Sequence, residues 1–178
     1  MATLPIRSRL RLSAAIIVVA AVAACAEPAS GPAGPLLPSQ SVGIAASLVT
    51  CPTTAGMSTS ATIGEEGGTV VNGRHSMTLP SGAVSNPTLF TIEVPPSSFM
   101  EVSITANGGD HFQFLAPVIV RLDYARCPAG QVDRAPLRVL YIDADTKAFL
   151  ADMRGRDRKD QRRIIFETDH LSSYAVAH

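Results

Sequence analysis

The 178-residue chain predicts an all-β fold, an antiparallel β-sandwich of about eight or nine strands preceded by a leader and a tether. Three observations carry this. From residue 50 onward apolar residues recur at every second position, the period of a strand with one face in a core. Gly, Pro, Asn and Asp interrupt these runs at short intervals, as turns do. No stretch of the same region shows a convincing apolar stripe at helical spacing.

Taken in order, Thr69-Val70-Val71 and Ser76-Met77-Thr78-Leu79 flank Asn72-Gly73, a hairpin signal in which the glycine supplies positive φ. Phe90, Ile92 and Val94 alternate with Thr91 and Glu93. Met100, Val102, Ile104 and Ala106 alternate with Glu101, Ser103 and Thr105. Val118, Val120, Leu122 and Tyr124 alternate with Ile119, Arg121 and Asp123. Leu137 to Ile142 and Ala148 to Asp152 read as two strands joined by the turn Asp143-Ala144-Asp145-Thr146-Lys147. Arg163 to Thr168 and Leu171 to Ala177 complete the set.

Three motifs follow one another: Ile63-Gly64-Glu65-Glu66-Gly67-Gly68-Thr69-Val70, then Met77-Thr78-Leu79-Pro80-Ser81-Gly82-Ala83-Val84, then Thr91-Ile92-Glu93-Val94. Together they resemble the ZU-five domain, a β-sandwich family of zonula occludens proteins, netrin receptors and ankyrins. Phe112-Gln113-Phe114-Leu115-Ala116-Pro117-Val118 is similar to the family's strand entry, and Thr168 to Val176 to the ending of many bacterial relatives. The resemblance covers about residues 60–177 and implies scaffolding or interaction rather than small-molecule chemistry. Phe149 stands where such proteins usually carry Trp and is expected to keep an aromatic residue in the core.

The N-terminal end has a different character. Of the first 24 residues 17 are apolar, and Arg7, Arg9 and Arg11 precede the run Leu12 to Ala24. That order is the plan of a secretory signal, and the run is shorter than the ~20 residues a spanning helix needs. Val22-Ala23-Ala24-Cys25 resembles the lipobox of bacterial lipoproteins, which implies cleavage before Cys25, a diacylglyceryl group on its sulfur and a third chain on the new amino group. Three acyl chains anchor permanently, since each buried methylene contributes ~0.8 kcal/mol. The expected place is the bacterial cell envelope, with the outer membrane favoured because Ala26, and not an Asp, follows the cysteine. Residues 25–49 form the lipidated cysteine and a flexible tether rich in Pro, Gly, Ala and Ser, and residues 50–178 the folded domain. A 24-residue coil spans roughly 25–30 Å root-mean-square.

Charge and cysteine content follow from this division. Fifteen basic and fifteen acidic residues sum to zero, but removing the three leader arginines leaves 12 against 15, a mature charge near −3. That balance argues against nucleic acid as a partner, and the absence of Trp disfavours a sugar-binding platform. With Cys25 committed to lipid, Cys51 and Cys127 remain, and an exported chain with two cysteines is expected to join them in one disulfide.

Few groups read as chemical. His170-Leu171-Ser172 resembles the self-cleavage tripeptide of adhesion-receptor GAIN domains, in which the histidine takes the hydroxyl proton and the hydroxyl attacks the preceding carbonyl. Residues two apart in an extended chain share a face, so the spacing permits it; strain and oxyanion donors are further requirements. The alternative is a strand entry with Leu171 packed inside. Arg154 to Arg163 holds six basic residues in ten and reads as a solvated hairpin loop, with lipid phosphates or an anionic polysaccharide as the functional alternative. Asp143-x-Asp145 lacks the Gly and Glu of a calcium loop, the histidines are dispersed, and neither CxxC nor HExxH occurs, so neither metal nor cofactor is expected. No enzyme signature is present. The reading is therefore a non-enzymatic, lipid-anchored envelope protein that binds an unknown protein partner. Self-cleavage at His170-Leu171-Ser172 and carbohydrate binding are its alternatives.

Overall fold

The computed structural model describes residues 47–133 and 135–178; the leader, Cys25 and the tether up to residue 46 lie outside these. Eleven strands form two antiparallel sheets: β1 Met57–Ile63, β2 Gly68–Asn72, β3 His75–Leu79, β4 Thr88–Val94, β5 Glu101–Ala106, β6 Gln113–Asp123, β7 Arg138–Ile142, β8 Phe149–Asp152, β9 Arg156–Arg158, β10 Arg163–His170 and β11 Ser173–Ala177. The six-stranded sheet runs β1-β4-β5-β11-β7-β8 and the five-stranded sheet β2-β3-β6-β10-β9. A single turn of helix, α1 Ala129–Val132, and a 3₁₀ turn, Lys159–Gln161, interrupt the strands.

The nine expected strands are present, and β1 and β9 are additional. Both sit at sheet edges, where burial imposes no alternation. β1 is Met-Ser-Thr-Ser-Ala-Thr-Ile, exposed over most of its length, and forms by pairing all seven residues with β4. β9 lies inside the basic run expected to be a loop. It is a strand because Asp157 turns inward, accepting from the Tyr124 hydroxyl at 2.5 Å and from the Leu137 amide at 3.2 Å.

Alternation places one face of each sheet in the core. Phe90, Phe112 and Phe114 pack with ring centroids 5.2–5.7 Å apart, and the fully buried Tyr174 stacks on Phe166 at 4.9 Å. β6 carries Pro117, which has no N–H for the ladder. Its pairing with β10 shifts register there, from Thr168↔Val118 to His170↔Gln113.

At two places the chain departs from the expected boundaries. Ser47 to Val49, assigned to the tether by sequence, join the domain: Leu48 pairs with Ala177, and the Val49 amide donates to the Val176 carbonyl at 2.8 Å. Leu48 and Phe99 cover Ala175, Ala177, Leu140 and Ile142, so all five residues of β11 are buried. The β2–β3 turn is Gly73-Arg74, because Asn72 pairs with His75 as the last residue of the strand. Gly73 has φ +59° as expected. Asn72 serves another purpose: it is 2% exposed, and its Nδ2 donates to Met57 O at 3.0 Å and Ile92 O at 2.9 Å, tying one sheet to the other. Asn72→Ala strands two carbonyls and is expected to cost about 2 kcal/mol, readable as a lowered urea midpoint with the β signature of the circular dichroism spectrum retained.

The motifs that carry the ZU-five resemblance meet in space. Gly82 N and Ser81 Oγ donate to the Glu65 carbonyl at 2.8 and 3.2 Å. A Cβ on Gly67, at φ +77°, would lie 2.5 Å from Leu79 O, so the first hairpin closes on the Pro80-Ser81-Gly82 turn only with glycine there.

Candidate functional site

Cys51 and Cys127 form a disulfide, S–S 1.96 Å, with a sequence separation of 76. It joins the segment entering β1 to the turn after β6. Arg126 beside it donates to the Pro52 carbonyl and, at 2.9 Å, to the Phe99 carbonyl, holding the same corner.

His170-Leu171-Ser172 is where the chain crosses from one sheet to the other, since β10 ends at His170 and β11 begins at Ser173. Leu171 is 1% exposed, and its amide donates to Phe112 O at 3.0 Å; Ser172 is also buried, and its carbonyl accepts from the Ile104 amide at 3.0 Å. His170 does not turn toward Ser172. Its Nδ1 lies 2.9 Å from Asp169 Oδ1, and the ring stacks on Tyr141 at 5.2 Å. Its carbonyl accepts from the Tyr174 hydroxyl at 2.7 Å and from Thr168 Oγ1 at 2.9 Å. The contact with His170 holds the Asp169 carboxyl below the usual carboxylate range. This geometry serves a sheet crossover with a buried leucine as its pivot.

Asp143 caps its hairpin: Oδ1 accepts from Asp145 N at 3.1 Å, Thr146 N at 2.7 Å and Thr146 Oγ1 at 2.8 Å. The Thr146 contacts lower the Asp143 pKa. Among the described residues no group of three or more His, Cys, Asp or Glu is placed to hold a metal ion. Phe149, expected in the core, is instead exposed on the edge strand β8 beside the exposed Leu150. β8 is an edge strand that pairs with β7 alone, which leaves Phe149 38% exposed.

The basic run does build a concave surface, with a member the sequence did not connect to it. A groove of about 410 Å³ on the outer face of the five-stranded sheet is lined by Arg154, Arg156 and Arg158 together with Arg121 of β6. Its apolar lining includes Ile119, Ile165 and Met153, and Glu167 is its lone carboxylate. Alternation along β6 marks Arg121 as outward-facing; only the pairing order β6-β10-β9 brings it opposite the run. Arg162 is drawn off to Asp133 at 2.8 Å, and Lys159 to the carbonyls of Val132 and Ala135 at 3.0 and 2.8 Å. Three of the six basic residues of the run thus reach the groove.

Compared with known proteins, the chain matches no family model and no curated protein.

Proposed function

We propose that the chain is a lipid-anchored protein of the bacterial cell envelope that displays a ZU-five-like β-sandwich for binding another protein, without enzymatic chemistry. The observation that carries this reading is the array of Arg7, Arg9 and Arg11, the apolar run and Val22-Ala23-Ala24-Cys25. A disulfide between the other two cysteines accords with an exported chain. The protein partner is supported by edge strand β8, which leaves one row of main-chain groups unpaired and exposes Phe149 and Leu150 side by side.

The test is metabolic labelling with an alkyne-bearing palmitate in a diderm bacterial host. The wild-type chain is expected to carry the label in the membrane fraction and Cys25→Ser to carry none. Label on the variant, or none on the wild type, removes the anchor from the reading. Affinity capture from detergent-solubilised envelopes is then expected to retain a protein with the wild type and to lose it with Phe149→Ser/Leu150→Ser; equal retention by both places the contact elsewhere.

A further inference from the structure

We propose that the four-arginine groove on the outer face of the five-stranded sheet is a binding site for phosphoryl groups. It is independent of the anchor and of the β8 edge. Register defines its shape. Arg156 of β9 lies opposite Ile165 of β10, and Ile165 opposite Arg121 of β6, so one row across three strands reads Arg–Ile–Arg. Strands stand about 4.8 Å apart, which puts the two arginine Cα atoms about 10 Å apart. That gap is short enough for two extended guanidinium groups to meet over Ile165. Arg158, two residues along the same strand face from Arg156, adds a third group about 7 Å away. Arg154 enters from the loop before β9, so the four surround a floor of Ile119 and Ile165.

These charges are not spent on the protein itself. The side chains of Arg154 and Arg156 have no carboxylate within ion-pair distance among the described residues. Arg158 reaches Asp160 only at 3.4 Å, and both are substantially exposed. Arg121 gives one donor to Thr78 Oγ1 at 3.1 Å and keeps its others. Four cations and Glu167 leave the lining near +3, on a domain (residues 50–178) whose 12 basic and 14 acidic residues sum to −2. Arg158 also stands directly opposite Arg163 on the neighbouring strand, and the buried Arg163 Nε has no hydrogen-bond partner. Like charges facing across a ladder are destabilising. An anion seated in the groove relieves that repulsion.

The donor set selects the anion. A planar carboxylate is satisfied by one bidentate arginine, whereas a phosphoryl group offers three tetrahedral oxygens that accept from several guanidinium groups at once. Four converging arginines fit the oxygens of a phosphate ester, and the floor of Ile119 and Ile165 lies against the carbon skeleton that carries it. A lipid headgroup and a free glycerol phosphate share that chemistry.

The test is calorimetric titration of the full-length protein, purified in a neutral maltoside detergent at low salt. The probes are glycerol 3-phosphate, dihexanoylphosphatidylglycerol and a tri-aspartate peptide. At least one phosphoryl probe is expected to bind more tightly than the peptide, with affinity falling as salt rises. Binding of glycerol 3-phosphate identifies a free phosphate as sufficient; binding of the short-chain lipid alone identifies the headgroup with its acyl body. Arg121→Ser/Arg156→Ser is expected to lower affinity about tenfold or more, with an unchanged melting temperature. Glu167→Gln removes the carboxylate from the lining and is expected to tighten binding several-fold, a gain that a folding defect does not imitate. Binding by neither phosphoryl probe, equal binding of tri-aspartate, or indifference to both variants overturns the proposal.

Discussion

Replacing both bridged cysteines, Cys51→Ser/Cys127→Ser, is expected to destabilise the domain by about 4 kcal/mol, the chain-entropy value for a loop of this length. The bridge spans 76 residues, so the unfolded chain without it regains the freedom of more than half the domain. Native contacts at this corner do not supply the same constraint. Cys51 is held on one side by its amide bond to Ser98 O, and Cys127 by its own amide to Tyr124 O, neither of which links one cysteine segment to the other. Arg126 does link them, through Pro52 O and Phe99 O, but through one long, partly exposed side chain. At a urea dependence of about 2 kcal/mol per molar, the expected loss moves the midpoint down by about 2 M. Dithiothreitol is expected to do the same to the wild type and nothing to the double variant. A wild-type midpoint that ignores reductant shows that the bridge does not constrain the unfolded chain. The double variant is preferable to either single one, which leaves a thiol free to pair between molecules.

The sequence is legible where burial imposes a pattern. Phe90-x-Ile92-x-Val94 and Val118-x-Val120-x-Leu122 stand between a core and solvent, and alternation alone sets their faces. β1 and β9 escaped because edge strands are not held to alternation: β1 is nearly all exposed, and β9 reads as Arg-Asp-Arg with its inward residue an aspartate. That aspartate is intelligible only once Tyr124 is known to lie above it, 33 residues away. Phe149 shows the converse error. The resemblance to the ZU-five family, which usually carries Trp there, places Phe149 in the core, but it pairs only with Ile142 of β7, on the edge strand β8, and is exposed. Two cysteines in an exported chain pair by count alone, which needs no geometry. The groove was half legible: the run 154–163 advertised its charge, yet which of its residues converge, and that Arg121 joins them, depends on long-range pairing that local pattern does not encode. His170-Leu171-Ser172 reads in sequence as one extended unit with a shared face. The chain changes sheets inside it, because Leu171 is the residue that must be buried, and the histidine and serine are separated by that turn.

His75 is expected to make the domain acid-sensitive in a window well above the carboxylates. It lies on β3 with 6% of its surface exposed, and its Nδ1 accepts from the Asp123 amide at 3.2 Å, which requires the lone pair of a neutral ring. Burial lowers its pKa from 6.5 to about 4; the Asp123 carboxylate opposes this and Arg126 adds to it, while Arg74 spends its charge on Asp123 at 2.8 Å. Because the folded pKa is the lower one, the unfolded chain binds the proton first. Stability from this site is therefore complete above pH 6.5, falls as the pH drops toward 4, and levels off below it. The full difference corresponds to about 3 kcal/mol, comparable to a third of what a domain of this size holds in reserve. Asp143 and Asp169, whose pKa values are lowered, begin to contribute only as the pH approaches their ordinary range, so the interval from about 6.5 down to about 5 isolates the histidine. Urea midpoints measured across that interval are expected to fall steadily for the wild type. For His75→Asn, which keeps an acceptor near the Asp123 amide but cannot titrate, the midpoint at neutral pH is expected to drop and the slope to vanish. A slope equal in the two proteins means that the ring is solvated enough to protonate in place. In that case the Asp123 amide has another acceptor, and the β3–β6 contact that carries both the buried histidine and the row ending at Arg121 is looser than its geometry states.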